Sequence, residues 1–124
     1  MRAARGARTL TTHVLDTARG LPAVGVRVEL STVEPNGRLR LLRTLTTNTD
    51  GRTDDPLLAE GEMKPGRYEL CFHVGAYFRS TGLALADPPY LDQVPVRFAI
   101  ADPEAHYHVP LLVSPWSYAT YRGS

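Results

Sequence analysis

Four side chains of this sequence have the chemistry of a reaction site: His13, Arg52, His106 and His108. An imidazole has an ordinary pKa of about 6.5 and exchanges protons near neutral pH, so histidines suit general acid–base catalysis. The guanidinium group of an arginine presents a flat fork of donors, which suits a planar, anionic ligand. Together these residue types suit acid–base chemistry on a planar, anionic ligand.

The spacing of His106 and His108 leaves a second interpretation open. Residues two apart in a strand point to the same face of a sheet, so both rings could bind one zinc ion with His13 as a third ligand. No acidic residues that would orient such ligands are evident nearby, and we expect neither a metal nor another cofactor. His73 is expected at the surface, and Cys71 is expected to be a buried, inert thiol.

Two of the candidate segments also have ordinary interpretations. Arg52 follows the Asp50-Gly51 turn, where an arginine is most often simply solvated. The chain ends in Tyr121, Arg122, Gly123 and Ser124, and most chain ends fray. The strand pattern nevertheless runs into this end, so both an ordered and a disordered terminus are open from the sequence alone.

The elements that must position these residues are predicted to be strands. Prolines and glycines divide the chain into short alternating runs rich in Val, Leu, Thr and Tyr, a pattern typical of an all-β sandwich. One short helix is predicted over 75–82, and a loop with a short strand over 54–64. The other predicted strands, enough for two packed sheets, cover 9–15, 24–32, 39–47, 67–73, 94–100, 107–113 and 118–122.

Strand parity predicts a sheet that is apolar on both faces. One face of the first and seventh predicted strands reads as core: Leu10, Thr12, Val14, Val109, Leu111 and Val113. The opposite face mixes apolar residues with histidines: His13, Leu15, His108, Pro110 and Leu112. A sheet that is apolar on both sides usually meets a second layer or a partner subunit. We therefore expect a symmetric oligomer, with His13 and His108 in a cleft between subunits.

Length and composition limit the number of domains, the kinds of partner and the location that we expect. The 124 residues suit one domain, predicted over 9–124, after a flexible N-terminal tail over 1–8. The net charge of +1 and the lack of a basic stripe argue against nucleic acid as a partner. A single cysteine forms no internal disulfide, and no long apolar run suggests a leader or a membrane span. A cytoplasmic location without membrane contact is expected.

Three segments carry a resemblance to a known family. They are 10–23, which begins with LTTHVLD; 47–52, which reads TNTDGR; and 106–124, which begins with HYHVPLLVSP and ends in YRGS. Together they resemble the 5-hydroxyisourate hydrolase family, the enzyme relatives of transthyretin. The similarity spans nearly the whole chain beyond its first eight or so residues, and the terminal YRGS is its most specific part.

The resemblance implies a fold, an assembly and a set of functional residues. The fold would be a transthyretin-like sandwich of two sheets with about eight strands and one short helix. The assembly would be a homotetramer, a dimer of dimers with active sites in the channel between the dimers. The family's catalytic residues correspond to His13, Arg52 and His108. Its C-terminal segment, which helps to line the site, corresponds to Tyr121, Arg122, Gly123 and Ser124.

The resemblance also implies a reaction, the hydrolytic opening of the six-membered ring of 5-hydroxyisourate during urate breakdown. The product would be 2-oxo-4-hydroxy-4-carboxy-5-ureidoimidazoline. Transthyretin hormone carriers share the fold but lack these histidines, this arginine and this ending. A non-catalytic carrier of a small ligand is therefore the alternative, and a sandwich with a zinc site on its histidines is the third possibility.

Overall fold

The computed structural model describes residues 8–124, and 1–7, most of the predicted tail, lie outside the described residues. The described residues form eight strands and one short helix, confirming the predicted all-β fold. Within them, no helix has the length and apolar character that crossing a lipid bilayer requires. In chain order the elements are β1 (Leu10–Asp16), β2 (Leu21–Pro22), β3 (Arg27–Val33), β4 (Leu39–Thr46), β5 (Gly66–Phe72), α1 (Val74–Ser80), β6 (Val94–Ile100), β7 (Tyr107–Val113) and β8 (Tyr118–Thr120).

The strands pair into two four-stranded sheets. The first sheet has the order β2-β1-β7-β8, and the second has the order β4-β3-β5-β6. Strands β1 and β7 run parallel, although they lie almost a chain length apart, and their register places Thr11 beside His108. All other pairs are antiparallel. The parallel pair thus brings the two histidine-bearing segments of the sequence together.

The hydrophobic core lies between the two sheets and follows the predicted parity. Alternate residues of β1 and β7 are buried on the core side, and alternate residues of β3 and β5 face them from the other sheet. Thr12 also lies in this core, where its hydroxyl donates to the carbonyl of Val109 at 2.7 Å. That hydrogen bond offsets the cost of burying a polar group. The fully buried core side chains include Leu10, Val14, Val28, Leu30, Leu70, Phe72, Leu111 and Val113.

Some predicted boundaries were wrong. The strand predicted from residue 24 begins at Arg27, because Gly25 adopts a turn conformation with φ of +86°. The predicted 54–64 strand is reduced to one bridge between Leu10 and Leu58. The last strand ends at Thr120 rather than at residue 122, but Gly123 returns to pair with His108. The chain end is therefore placed beside the histidine strand.

The buried carboxylate of Asp16 ties the turn after β1 to the helix. One oxygen accepts the backbone N–H groups of Ala18 and Arg19 at 3.0 and 3.1 Å. The other accepts Arg19 Nε at 3.0 Å and the Tyr77 hydroxyl at 2.8 Å. A buried charge is tolerated only with such partners. This network fixes α1 against the C-terminal end of β1.

Candidate active site

Thr9 and Thr11, at the start of β1, contact His106 and His108 at the start of β7. The Thr11 hydroxyl lies 2.8 Å from Nδ1 of His108, and the Thr9 hydroxyl lies 3.0 Å from Nδ1 of His106. These contacts follow from the parallel register, in which residues of β1 stand directly beside those of β7. Because Nδ1 of His108 is engaged by Thr11, Nε2 is the ring nitrogen left for a ligand.

A tight loop after β4 positions Arg52, and Asn48 organises it. The side-chain oxygen of Asn48 accepts the backbone N–H groups of Asp50 and Arg52 at 2.9 and 3.2 Å. The Gly51 carbonyl accepts the Val14 N–H at 2.8 Å, which docks the loop onto β1. Gly51 has φ of +74°, and a Cβ there would lie 2.5 Å from the Val14 carbonyl oxygen, so only glycine fits. The loop thereby delivers Arg52 to the histidine face.

One cleft collects four of the candidate residues. It has a volume of about 430 Å³, and Arg52, His106, His108 and Ser124 all line it. The other lining residues are four threonines with Asp54 and Pro56. A cavity of this size with a few convergent polar groups suits a small polar molecule. The cleft thus places Arg52 and His108, two of the three expected catalytic residues, together with Ser124 of the expected C-terminal wall.

His13 lies next to the cleft rather than among its lining residues. A Cβ at Gly51 would come within 3.3 Å of its ring carbon Cδ2, so the ring packs on the arginine loop. Burial and the Arg52 charge lower the pKa of His13, and a backbone hydrogen bond with Asp50 opposes this. A charge on His13 also lowers the pKa of His108. The two histidine rings therefore influence each other electrostatically.

The electrostatics of the cleft keep His108 neutral. Burial lowers its pKa to about 4, and the neighbouring charges of Arg52, His106 and His13 add to this effect. A ring with this pKa is unprotonated at neutral pH and can accept a proton. Within residues 8–124, no carboxylate forms an ion pair with Arg52. The guanidinium group is therefore available to an anionic ligand.

The C-terminal segment packs along His108 but divides between two surfaces. The Gly123 N–H donates to the His108 carbonyl at 2.8 Å, and Ser124 reaches the cleft. The Arg122 guanidinium group lies 4.2 Å from the centre of the Tyr107 ring and donates to the His106 carbonyl at 3.3 Å. Tyr121 and Arg122 line a neighbouring depression instead. The C-terminal segment thus packs along β7, but only its last residue, Ser124, lines the cleft.

Replacing Gly123 with alanine should disturb the site directly. A Cβ at this position would lie 2.6 Å from Cδ2 and 3.3 Å from Cγ of His108, so the ring or the terminus must move. Because a displacement of about 1 Å can cost on the order of 10²-fold in rate, we expect turnover of Gly123→Ala to fall by roughly that factor. Steady-state kinetics measure the loss, and an unchanged thermal unfolding midpoint shows that the fold persists. Normal turnover would mean that close packing of the terminus on His108 is dispensable.

Thr11 is expected to act as a positioning residue for His108. The change Thr11→Val keeps the shape of the side chain but removes the hydroxyl at Nδ1. Losing one hydrogen bond of about 0.5–1.5 kcal/mol should lower kcat by about two- to tenfold. It should also shift the acid limb of the pH profile, which a purely structural role would leave in place. Thr9→Val, the matched change at His106, should have the smaller effect; equal losses would assign both histidines the same importance.

The arrangement does not favour a zinc site on the three histidines. Among residues 8–124, the one group of potential ligands with all its atoms within 4.8 Å of one another is Glu29, Cys71 and His73.

The surface placement predicted for His73 was wrong. Its side chain is only 17% exposed, and Nε2 lies 2.8 Å from a carboxylate oxygen of Glu29.

Sequence reasoning missed several residues that build the site. The roles of Thr9 and Thr11 depend on which strands are neighbours, which parity does not reveal. Asn48 did carry a signal, because an asparagine two residues before a turn commonly accepts backbone N–H groups through its side chain. His106 was noted for its spacing, but its place in the cleft wall emerged only with the pairing of β1 and β7.

The two-sheet fold and this cleft together place the protein in the class of transthyretin-like β-sandwiches. The model of the HIUase/Transthyretin family matches residues 10–123. The chain therefore belongs to the HIUase/Transthyretin family, as the sequence resemblance predicted.

Individual relatives agree with this assignment along nearly the whole chain. The 5-hydroxyisourate hydrolase of Deinococcus radiodurans is 57% identical over 115 residues, covering 93% of this chain and 95% of that protein. The structure of Klebsiella pneumoniae 5-hydroxyisourate hydrolase matches with a TM-score of 0.76 at 36% identity, covering 94% of this chain and 99% of that one. Sea bream transthyretin in complex with thyroxine matches with a TM-score of 0.81 at 30% identity, covering 93% and 94%. The fold is thus common to enzymes and to a thyroxine-binding protein.

Proposed function

We propose that this chain is a hydrolase that opens the six-membered ring of 5-hydroxyisourate. The observation that carries the proposal is the cleft in which neutral His108 stands with the unpaired guanidinium group of Arg52. A neutral imidazole can activate water, and a free guanidinium group can hold an anionic, planar ring. The names of the hydrolase relatives from Deinococcus radiodurans and Klebsiella pneumoniae agree with this chemistry.

In the proposed mechanism the two catalytic histidines handle the protons. Water attacks the ring amide carbonyl while His13 and His108 together position it and accept its proton. The same pair returns a proton to the leaving nitrogen as the carbon–nitrogen bond breaks, so the reaction is balanced without a covalent intermediate. Arg52 binds the anionic substrate and stabilises the negative charge that develops on the carbonyl oxygen. No metal or other cofactor takes part in this scheme.

The C-terminal residues are proposed to bind substrate rather than to react with it. Ser124 lines the cleft, and the pairing of Gly123 with His108 holds this end in place. Tyr121 and Arg122 lie on the adjoining depression, where they shape the approach to the histidine strand. We assign all four residues, Tyr121 to Ser124, to the substrate-binding wall.

We further propose that the protein works as a homotetramer, a dimer of dimers. The outer face of the first sheet carries half-buried Leu15 and Leu112 beside the histidines, and Trp116 at its edge is 63% exposed. Strand β8 is a short edge strand with three exposed residues. Such surfaces are suited to burial against further copies of the chain. Sedimentation equilibrium tests the assembly.

We also propose that the protein is located in the cytoplasm, and cell fractionation tests this.

The deciding experiment follows 5-hydroxyisourate made freshly from urate by urate oxidase. We expect its absorbance to decay faster with the protein than without it, including after dialysis against a chelator. Decay at the spontaneous rate, together with saturable binding of a small aromatic ligand, would favour a carrier like the thyroxine-bound transthyretin. Decay that is lost only on chelation would instead require a metal at the histidines.

A further inference from the structure

The outer face of the second sheet carries a compact group of side chains that the proposed reaction does not use. Glu29 on β3 and Cys71 on β5 are register partners, so their side chains emerge side by side. His73 follows β5 with the same parity, and its backbone N–H donates to the Arg27 carbonyl at 3.0 Å. The candidate ligand atoms of Glu29, Cys71 and His73 all lie within 4.8 Å of one another, and all three residues are half-buried.

Hydrogen bonds within and around this group hold its ligand atoms close to one another. Nε2 of His73 lies 2.8 Å from Oε1 of Glu29, while the other carboxylate oxygen accepts Arg27 Nη2 at 3.0 Å. Arg27 therefore fixes the carboxylate and leaves Oε1 facing the imidazole. The thiol of Cys71 points to the side-chain oxygen of Gln93 at 3.4 Å. A soft sulfur, an imidazole nitrogen and a carboxylate oxygen are thus presented together.

The charge around the thiol also favours a bound cation. Burial raises the pKa of the Cys71 thiol, and the carboxylates of Glu69, Glu29 and Asp92 raise it further, against a smaller opposing effect of Arg27. Glu69 is itself paired with Arg97 at 3.0 Å. Burial is thus the largest cause of the raised pKa, and the nearby carboxylates add a negative field at the sulfur. A divalent cation at the same place would meet that field with more charge and would release the proton to solvent.

We propose that Glu29, Cys71 and His73 form a binding site for a thiophilic divalent cation such as Zn²⁺. Zinc binds sulfur at about 2.3 Å and nitrogen or oxygen at about 2.0–2.2 Å, so tetrahedral ligand atoms stand roughly 3.3–3.8 Å apart. The three ligand atoms lie no more than 4.8 Å apart, and Nε2 of His73 is 2.8 Å from Oε1 of Glu29, so side-chain shifts on the order of 1 Å would bring them to this spacing. The fourth position is left for water or the Gln93 oxygen. The site lies on the opposite sheet from the cleft and does not depend on the proposed hydrolase function.

Cobalt titration of the full chain tests the proposal, because Cys71 is its only cysteine. After dialysis against a chelator, Co²⁺ should produce a thiolate-to-cobalt charge-transfer band that saturates at one ion per chain. Zn²⁺ should then displace the cobalt and bleach the band. Cys71→Ser should abolish the band, and His73→Ala and Glu29→Gln should each weaken cobalt binding at least about tenfold. Glu69→Gln, which removes the same charge from a neighbouring non-ligand, should change the affinity by far less.

Three results would overturn the proposal. One is the absence of a charge-transfer band at saturating Co²⁺ in the folded protein. A second is a band whose affinity is unchanged in both His73→Ala and Glu29→Gln, which would mean that the thiol captures the ion alone. The third is cobalt absorption that survives Cys71→Ser and disappears in His13→Ala, which would place the ion at the cleft. Circular dichroism of each variant establishes that the fold is intact before the titration.

Discussion

His108→Ala should lower turnover of 5-hydroxyisourate by about 10²–10⁴-fold, the range expected for removal of a positioned acid–base group. The ring stands in the cleft with Nδ1 against the Thr11 hydroxyl, and in the tautomer in which Nδ1–H donates to Thr11, Nε2 is free to accept a proton from a molecule in the cleft. The matched control is His106→Ala, the same substitution two residues earlier on the same face. We expect a clearly smaller loss there, because the family resemblance assigns catalysis to His108.

The pH profile separates a lost base from a lost structure. The pKa of His108 is lowered to about 4, so the ring becomes protonated, and unable to accept a proton, only as the pH falls towards 4. The acid limb of kcat/KM in the unaltered enzyme should therefore lie near pH 4 instead of near the ordinary histidine value of about 6.5. That limb should vanish in the residual activity of His108→Ala. A limb that persists there would assign the titration to another group, such as His13.

The strands were predictable where prolines and polar residues mark their ends in the sequence. The strands predicted over 94–100 and 107–113 coincide with β6 and β7, because prolines and polar residues bound them and alternation is regular between. Strand β2 has only two residues, Leu21–Pro22, and a pattern of period two cannot be recognised in so short a run. Its existence depends on pairing with the end of β1, which is a tertiary contact.

The candidate site was predictable in its residue types and only partly in its geometry. Parity correctly separated His13 and His108 from the core, since each sits on the outer side of its strand. Pro110 departs from that expectation. It faces outward yet is buried, and its carbonyl accepts the hydroxyl of Thr120 on the neighbouring strand β8 at 2.7 Å. Parity specifies a face of the sheet, but the chain segments that cover that face are specified by packing alone.

Arg52→Ala should lower kcat/KM by about 10²–10³-fold, the loss expected when a donor to a developing negative charge is removed. No carboxylate in the described chain pairs with this guanidinium group, so the substitution leaves no buried acid without a partner. The loop should also survive, because Asn48 holds it through the backbone N–H of residue 52 rather than through its side chain. Unfolding by heat should accordingly show an unchanged midpoint.

Arg52→Lys distinguishes charge from geometry at this position. Lysine keeps the positive charge but lacks the planar fork of donors. If Arg52 mainly attracts the anion, Arg52→Lys should restore most of the activity and raise KM only slightly. If it stabilises the carbonyl oxygen in the transition state, kcat should stay low while KM changes little, because the lost interaction is made only in the transition state. We expect the second result, since Arg52 stands in the same cleft as the neutral His108 that would activate the water. Near-normal kinetics of Arg52→Ala would instead return this side chain to the role of a solvated loop arginine and leave the histidines to act without it.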